Sequence, residues 1–143
     1  MAIKKFGTAH WEGPIKEGKG TVSTESQALN QQPYGFNTRF EGKPGTNPEE
    51  LLGAAHAACF SMALSLILGD AGLTAKSIDT KAEVSLNKAA DGFEIDAIAL
   101  TLKADVPGAS KEQFEELANK AKTGCPVSKL FKATITLDAT LVA

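Results

Sequence analysis

The sequence contains little of what several protein classes depend on. Of its 143 residues only two are cysteine, too few for a secreted scaffold held together by disulfides. Fifteen basic residues stand against seventeen acidic ones, and the net charge of −2 leaves no charged footprint for nucleic acid or an anionic membrane. The first residues are partly basic, but no apolar stretch of the kind found in secretory signals follows them. We therefore expect a cytoplasmic protein with two thiols.

Motifs for nucleotide, serine-hydrolase and metal chemistry are also missing. The chain has no glycine-rich phosphate loop and no G-x-S-x-G sequence. Two histidines and two cysteines could form a zinc site, but they occur singly at positions 10, 56, 59 and 125 rather than in close ligand pairs. Only His56 and Cys59, three residues apart, would share a helix face. We expect no metal and no cofactor, and we interpret His56 as a hydrogen-bonded core residue.

What is present is the composition of one globular domain, which we take to span residues 1–143. Hydrophobic residues make up 43% of the chain and charged residues 22%, close to globular averages. Alternating and apolar-stripe patterns, with glycine and proline between them, predict an α+β fold. The predicted strands are 1–12, 20–25, 36–41, 77–86, 93–104 and 133–142; the helices start near 48, 111 and 126; residues 30–35 and 87–92 are predicted turns.

The strongest local signal predicts a helix of roughly 22–25 residues. Asn47 can cap its N-terminus, Pro48 suits its first position, and Glu49 and Glu50 favour the positive end of the helix dipole. Gly69 and Gly72 follow the last apolar residues as stop signals.

No charged residue occurs from position 51 to position 68 of this helix. A run of that length raises the question of a membrane span, but alanine, glycine, serine and histidine make it too polar for one, and we expect none. A helix that is apolar all round must otherwise be buried all round. A chain of 15.0 kDa offers too little cover for that, so the pattern suggests a partner subunit.

Three residues could carry chemistry, and their positions alone leave each case open. Cys59 in the apolar helix is either a small core residue or a nucleophile, and burial alone would make it inert. Arg39 is the single arginine in a chain with fourteen lysines. It is either an outward-facing strand residue or the cation of a planar, partly buried ion pair, for which arginine is better suited than lysine. Cys125, before Pro126, lies at a bend that is either a plain loop or part of a site.

Three segments of the sequence resemble the OsmC/Ohr family of thiol-dependent organic hydroperoxide reductases. Residues 46–60 (TNPEELLGAAHAACF) are similar to the family signature, and residues 124–128 (GCPVS) to its second cysteine motif. Residues 30–36 (NQQPYGF) resemble the OsmC branch. The resemblance covers essentially the whole chain. It implies antiparallel sheets around a long buried central helix, in an intertwined α+β homodimer with its sites at the subunit interface.

The resemblance also implies a role for each candidate residue. Cys59 would be the peroxidatic thiolate, Cys125 the resolving thiol, and Arg39 and Glu49 the polar partners of Cys59. The substrate would be an organic hydroperoxide, and the reductant an external dithiol such as a lipoylated protein. The competing class is a binding protein for a lipid or small hydrophobic molecule in which the cysteines are incidental.

The spacing of Glu49 and Cys59 restricts how such a site can be built. If both belong to one straight helix, ten residues at 1.5 Å each place their backbones about 15 Å apart along its axis. The two side chains cannot close that gap. Glu49 must then act on the Cys59 of another subunit, or else the helix must begin later; we favour the first alternative.

Overall fold

The computed structural model describes residues 2–142, and the chain divides into two compact units between Leu51 and Leu52. Residue 1, which begins the first predicted strand, and residue 143, which ends the predicted domain, lie outside the described residues. The architecture is α+β, as predicted, with two three-stranded sheets and a long helix.

The first unit is built on an antiparallel sheet of three short strands in sequence order, β1 (Gly7–Glu12), β2 (Lys19–Thr24) and β3 (Gln32–Tyr34). The rings of Trp11 and Tyr34 pack 5.7 Å apart over this sheet. They leave room only for a glycine at position 20, because a Cβ there would lie 2.6 Å from the Tyr34 ring and 2.7 Å from the Trp11 ring. The predicted turn at 30–35 is thus wrong over the three residues of β3.

The predicted strand at residues 36–41 is also wrong, because α1 (Phe36–Phe40) is a short helix. The alternation that suggested a strand contains Phe36 and Phe40, which are four residues apart and therefore share a helix face as well. Their ring centroids lie 4.9 Å apart. The Thr38 hydroxyl accepts a hydrogen bond from the Gly35 amide, which closes the first turn of the helix.

The long helix α2 (Pro48–Asp70) confirms the strongest sequence prediction. The Asn47 side-chain oxygen accepts the Glu50 amide at 2.8 Å, and Pro48 occupies the first turn. Glu49 belongs to that first turn, so the alternative of a later helix start is wrong.

The second unit holds a mixed sheet rather than a purely antiparallel one, which corrects the expected pairing of the last strand but not the α+β class. Strands β4 (Ser77–Ala89) and β5 (Gly92–Asp105) form an antiparallel hairpin, and their pairing continues to Ala89, inside the predicted turn. Strand β6 (Thr134–Val142) pairs parallel to β5. Helices α3 (Lys111–Gly124) and α4 (Pro126–Leu130) supply the long connection that parallel pairing requires.

Within the single chain only one face of α2 is buried, in line with the expectation that a chain of this size offers too little cover for the whole helix. His56, Phe60, Leu64 and Leu68 recur every four residues and have no exposed surface. Phe60, Leu64 and Leu68 join the apolar core formed by β5 and α3. The opposite face stays open, for example at Met62 (76% exposed). The helix is long and apolar enough to cross a membrane, but its buried face serves as the core of this unit.

Candidate active site

The two thiols meet in the second unit. Cys59 lies in the middle of α2, and Cys125 lies at the junction of α3 and α4. Their sulfur atoms are 3.0 Å apart and joined by a hydrogen bond, although both cysteines are free. Cys59 is partly exposed, whereas Cys125 has no exposed surface. Of the two residues, only Cys59 therefore has surface in contact with solvent.

Local backbone signals explain why Cys125 lies at this point. Its amide donates to the Ala121 carbonyl at 3.0 Å and closes the last turn of α3. Pro126 then begins α4, because proline fits the first turn of a helix and cannot continue the preceding one. Cys125 itself is extended, with φ of −60° and ψ of 128°. The bend directs its side chain toward Cys59, and this proximity could not be read from a separation of 66 residues.

The surroundings of the thiols favour ionisation of the buried one. Burial raises the pKa of Cys59, and its hydrogen bond with Cys125 raises it further. Burial also opposes ionisation of Cys125, but hydrogen bonds with Cys59, with the Ser128 amide and hydroxyl, and with the Val127 amide outweigh it and lower the pKa of Cys125. Reactivity at Cys59 therefore needs a positive charge in addition to what this unit supplies.

The first unit holds a charged pair of the kind that could supply it. Arg39 donates from Nε to Glu49 Oε1 at 3.0 Å and from Nη2 to Oε2 at 2.8 Å. The pair is bidentate, and only 11% of the Glu49 side chain is exposed, against 35% for Arg39. The hydrogen bond with Glu49 is the main cause of the raised pKa of Arg39. One guanidinium edge is thus fixed by the carboxylate, and the group remains cationic.

Asn47 links the helices that carry these two residues. Its side-chain oxygen caps α2, and its Nδ2 donates to the Thr38 carbonyl in α1 at 3.1 Å. The Arg39 guanidinium also lies over the Phe40 ring, 5.4 Å from its centroid. Asn47 therefore ties α1, which carries Arg39, to the start of α2, which carries Glu49.

Sequence reasoning overlooked Ser128 as a functional candidate. The Ser128 hydroxyl, 7% exposed, lies 2.7 Å from His56 Nε2. This contact confirms the interpretation of His56 as a hydrogen-bonded core residue, and burial lowers the pKa of His56. The available signal was a serine three residues after Cys125 in a helix begun by proline. Within residues 2–142, no group of three or more potential metal ligands occurs.

The chain is similar to a known protein family and to several curated proteins. The family model described as OsmC-like protein matches residues 40–140. The chain is 67% identical over 138 residues to the Peroxiredoxin OsmC of Escherichia coli strain K12, covering 96% of each chain. It is 34% identical over 118 residues to the Organic hydroperoxide resistance protein OhrB of Bacillus subtilis strain 168, covering 81% of this chain and 84% of that protein.

Two solved structures share the fold. One is an organic hydroperoxide resistance protein OsmC from Legionella pneumophila, with a TM-score of 0.72 and 24% identity over 100% of this chain and 99% of that one. The other is OhrB of Bacillus subtilis, with a TM-score of 0.68 and 26% identity over 96% and 98% of the respective chains.

Proposed function

The chain belongs to the OsmC-like protein family, and on that premise we propose that it is a cysteine-based peroxidase that reduces organic hydroperoxides to alcohols and protects the cell from oxidative stress. The observation that carries the proposal is the thiol pair. Two free sulfurs lie 3.0 Å apart, and only Cys59 is partly exposed. A peroxidase needs one accessible sulfur to react with peroxide and a second, protected sulfur within reach of the product.

In the first step the Cys59 thiolate attacks the terminal oxygen of the hydroperoxide. A sulfur–oxygen bond forms and the oxygen–oxygen bond breaks, and the leaving alkoxide takes up a proton to become the alcohol. Sulfur is oxidised to sulfenic acid while the peroxide is reduced. The apolar surface of α2 around Cys59 favours substrates with a hydrocarbon tail over hydrogen peroxide.

In the second step Cys125 resolves the sulfenic acid. Its thiolate attacks the Cys59 sulfur, a disulfide forms, and hydroxide leaves and is protonated to water. The sulfurs must approach by about 1 Å to reach the usual disulfide length of about 2.05 Å. The lowered pKa of Cys125 supplies the attacking thiolate, and disulfide formation shields Cys59 from further oxidation.

The first step also requires stabilised negative charge, and Arg39 is the residue for that task. Its guanidinium can hold the Cys59 thiolate and the developing alkoxide, while Glu49 fixes the orientation of the fork. Glu49 lies in the first turn of α2. Along a straight helix its backbone is about 15 Å from that of Cys59, too far for the two side chains to meet. The Arg39–Glu49 pair therefore serves the Cys59 of a second copy of the chain, and each active site is composite.

Two observations support a homodimer of this kind. One face of α2 carries Met62 (76% exposed) and Leu66 (67% exposed), side chains that are costly to leave in water. The first unit, within its described residues, buries no large apolar side chain. A second copy of the chain could cover both the exposed face of α2 and the poorly packed first unit. This would bury the uncharged helix on all sides, as its sequence pattern requires.

The remaining assignments follow from the family and the chemistry. The chain aligns with its curated relative over nearly its whole length, so we treat residues 1–143 as one functional domain. An external dithiol, such as a lipoylated protein, regenerates the two thiols, and the reaction takes place in the cytoplasm.

One equivalent of an organic hydroperoxide added to the reduced protein tests the function. Loss of both thiols with formation of a Cys59–Cys125 disulfide, seen by thiol counting and mass spectrometry, is the expected result. Two persistent thiols would contradict the proposal and favour a protein that binds a lipid or small hydrophobic molecule. Hydrogen peroxide at the same concentration is the control and should react more slowly.

A further inference from the structure

A buried polar connection runs from α2 to the resolving cysteine. His56 has no exposed surface, and its Nε2 lies 2.7 Å from the Ser128 hydroxyl oxygen. Cys125 is the N-cap of α4 and Ser128 is the third residue of that helix, and a hydrogen bond with the Ser128 side chain is one cause of the lowered pKa of Cys125. The Ser128 hydroxyl therefore lies between two groups, His56 Nε2 and the Cys125 sulfur. It has a single proton, which it can donate to either of them.

The protonation state of His56 decides where that proton goes. His56 Nδ1 is buried and has no hydrogen-bond partner within residues 2–142. A charged imidazolium would leave an unpaired donor in the core, and burial lowers the pKa of His56, so the ring is neutral at pH 7. A neutral ring carries its single proton on Nε2 or on Nδ1.

The two tautomers have opposite effects on the bridge. With the proton on Nε2, His56 donates to the Ser128 oxygen, and the hydroxyl is free to donate to the Cys125 sulfur. With the proton on Nδ1, Nε2 accepts the hydroxyl proton, and Ser128 has none left for sulfur. A thiolate at Cys125 selects the first arrangement, because an ionised acceptor makes the stronger hydrogen bond.

We propose that His56 is a positioning residue for the resolving step: through Nε2 it holds the Ser128 hydroxyl with its proton directed at the Cys125 sulfur, and so stabilises the thiolate that attacks the Cys59 sulfenic acid. This inference rests on the proposed function for the identity of the step, but the hydrogen-bond relay itself does not. The edge of the His56 ring packs against Phe131, with centroids 5.5 Å apart, and this fixes the ring relative to α4.

Few other groups bear on the ionisation of Cys125. Cys59 approaches from α2, and the Val127 and Ser128 amides approach from α4. The residue of α3 bonded to its backbone is Ala121, which carries no charge. Within the described residues, hydrogen bonds with Cys59, Ser128 and Val127 lower the pKa of Cys125, and the Ser128 hydroxyl is the one of these that His56 contacts. In the proposed composite site the Arg39 guanidinium of a second copy is the charged group nearest the two sulfurs.

The experiment titrates the Cys125 thiolate by ultraviolet absorbance in a Cys59→Ser background, where no peroxidase chemistry occurs. Ser128→Ala and His56→Phe should each raise the pKa of Cys125 by about one unit, which is about tenfold less thiolate below the pKa. Ser128→Thr keeps the hydroxyl, and His56→Gln offers an amide donor in place of Nε2; both should titrate closer to the parent. His56→Phe keeps an aromatic ring against Phe131 and controls for packing.

A second readout follows the resolving step in chains with both cysteines. After rapid oxidation by one equivalent of hydroperoxide, disulfide formation should slow about tenfold in Ser128→Ala, measured as a step separate from the first oxidation of Cys59. An unchanged titration curve in Ser128→Ala, or equal curves for His56→Phe and His56→Gln, would overturn the relay. If the curves shift but the parent protein, with both cysteines, is not oxidised by hydroperoxide, the relay stands and the proposed function fails.

Discussion

The two units of the chain are stabilised in different ways. Every buried hydrophobic residue of the core, from Phe60 to Cys125, belongs to the second unit. Among residues 2–51, those that are buried are two glycines and Glu49. The second unit thus has a core of its own, whereas the first is held by strand pairing, two aromatic pairs and polar contacts.

The chemistry is divided along the same line. The second unit holds the two thiols in a largely apolar environment, and the first holds the arginine and its carboxylate. Apolar packing fixes the separation of two sulfurs well but raises the pKa of Cys59, so it cannot by itself provide a reactive thiolate. The packed unit therefore holds the nucleophile of the proposed mechanism, and the weakly packed unit holds the arginine to which that mechanism assigns the stabilising charge.

The largest effect is expected for the nucleophile. Cys59→Ser should reduce peroxidase turnover by at least about a thousandfold, because no other residue offers a comparable nucleophile. Cys125→Ser should leave the first oxidation intact, but the Cys59 sulfenic acid should accumulate because no second thiol attacks it. A dimedone adduct in single-turnover mass spectrometry would reveal the accumulated sulfenic acid. Parent-rate consumption of hydroperoxide by Cys59→Ser would refute the assignment.

The difference in packing predicts unequal costs on the two faces of α2. Leu64→Ala should lower the free energy of unfolding by about 2–5 kcal/mol, because Leu64 is fully buried in the core. Met62→Lys should leave that core intact and weaken dimerisation by tenfold or more, since it replaces exposed apolar surface with charge. Urea unfolding and sedimentation measure the two effects, and dimerisation unaffected by Met62→Lys would disprove the interface.

The charged pair should matter for rate more than for folding. Arg39→Lys keeps the charge but loses the bidentate fork, so we expect a higher pKa of Cys59 and attack slower by about tenfold, or about 1.4 kcal/mol. Because the thiolate is the reactive form, the pH at which the rate rises should shift upward with that pKa. Thiolate absorbance and stopped-flow oxidation, each measured against pH, check this prediction. If the parent and Arg39→Lys gave the same pH profiles, Arg39 would not be the residue that stabilises the Cys59 thiolate.

The smallest effect compares two helix caps. Asn47→Ala and Ser110→Ala each remove a side-chain acceptor at a helix N-terminus and should each cost about 1 kcal/mol of stability. Only Asn47 also donates to Thr38 beside the ion pair, so only its loss should slow peroxide reduction. Equal activity in both variants would show that Asn47 does not position Arg39.

The sequence predicted best what is decided locally. Helix α2 follows from Asn47, Pro48 and an uncharged run, and the predicted helix start near residue 111 is confirmed by α3, which Ser110 caps through the Gln113 amide. The helix at 36–40 was mistaken for a strand because Phe36 and Phe40 satisfy both periodicities, and the helix rests on contacts such as the Thr38 cap that alternation does not encode.

Long-range relations could not be predicted in the same way. The parallel pairing of β6 depends on where α3 and α4 return the chain, and no local pattern fixes that. The candidate site divides similarly. The family resemblance pointed to Cys59, Cys125, Arg39 and Glu49, but the closeness of the sulfurs and the bridge from His56 to Ser128 connect residues more than sixty positions apart.

The most direct test of the division between the two units is complementation between inactive chains. Cys59→Ser and Glu49→Gln chains are each assayed alone and after mixing under conditions that exchange subunits. If Glu49 serves the Cys59 of the other subunit, each mixed dimer has one site with both lesions and one with neither, and an equal mixture should recover about a quarter of the parent sites. Mixed dimers that form, as shown by mass spectrometry, but recover no activity would place Glu49 and Cys59 of one chain in the same site and contradict the account.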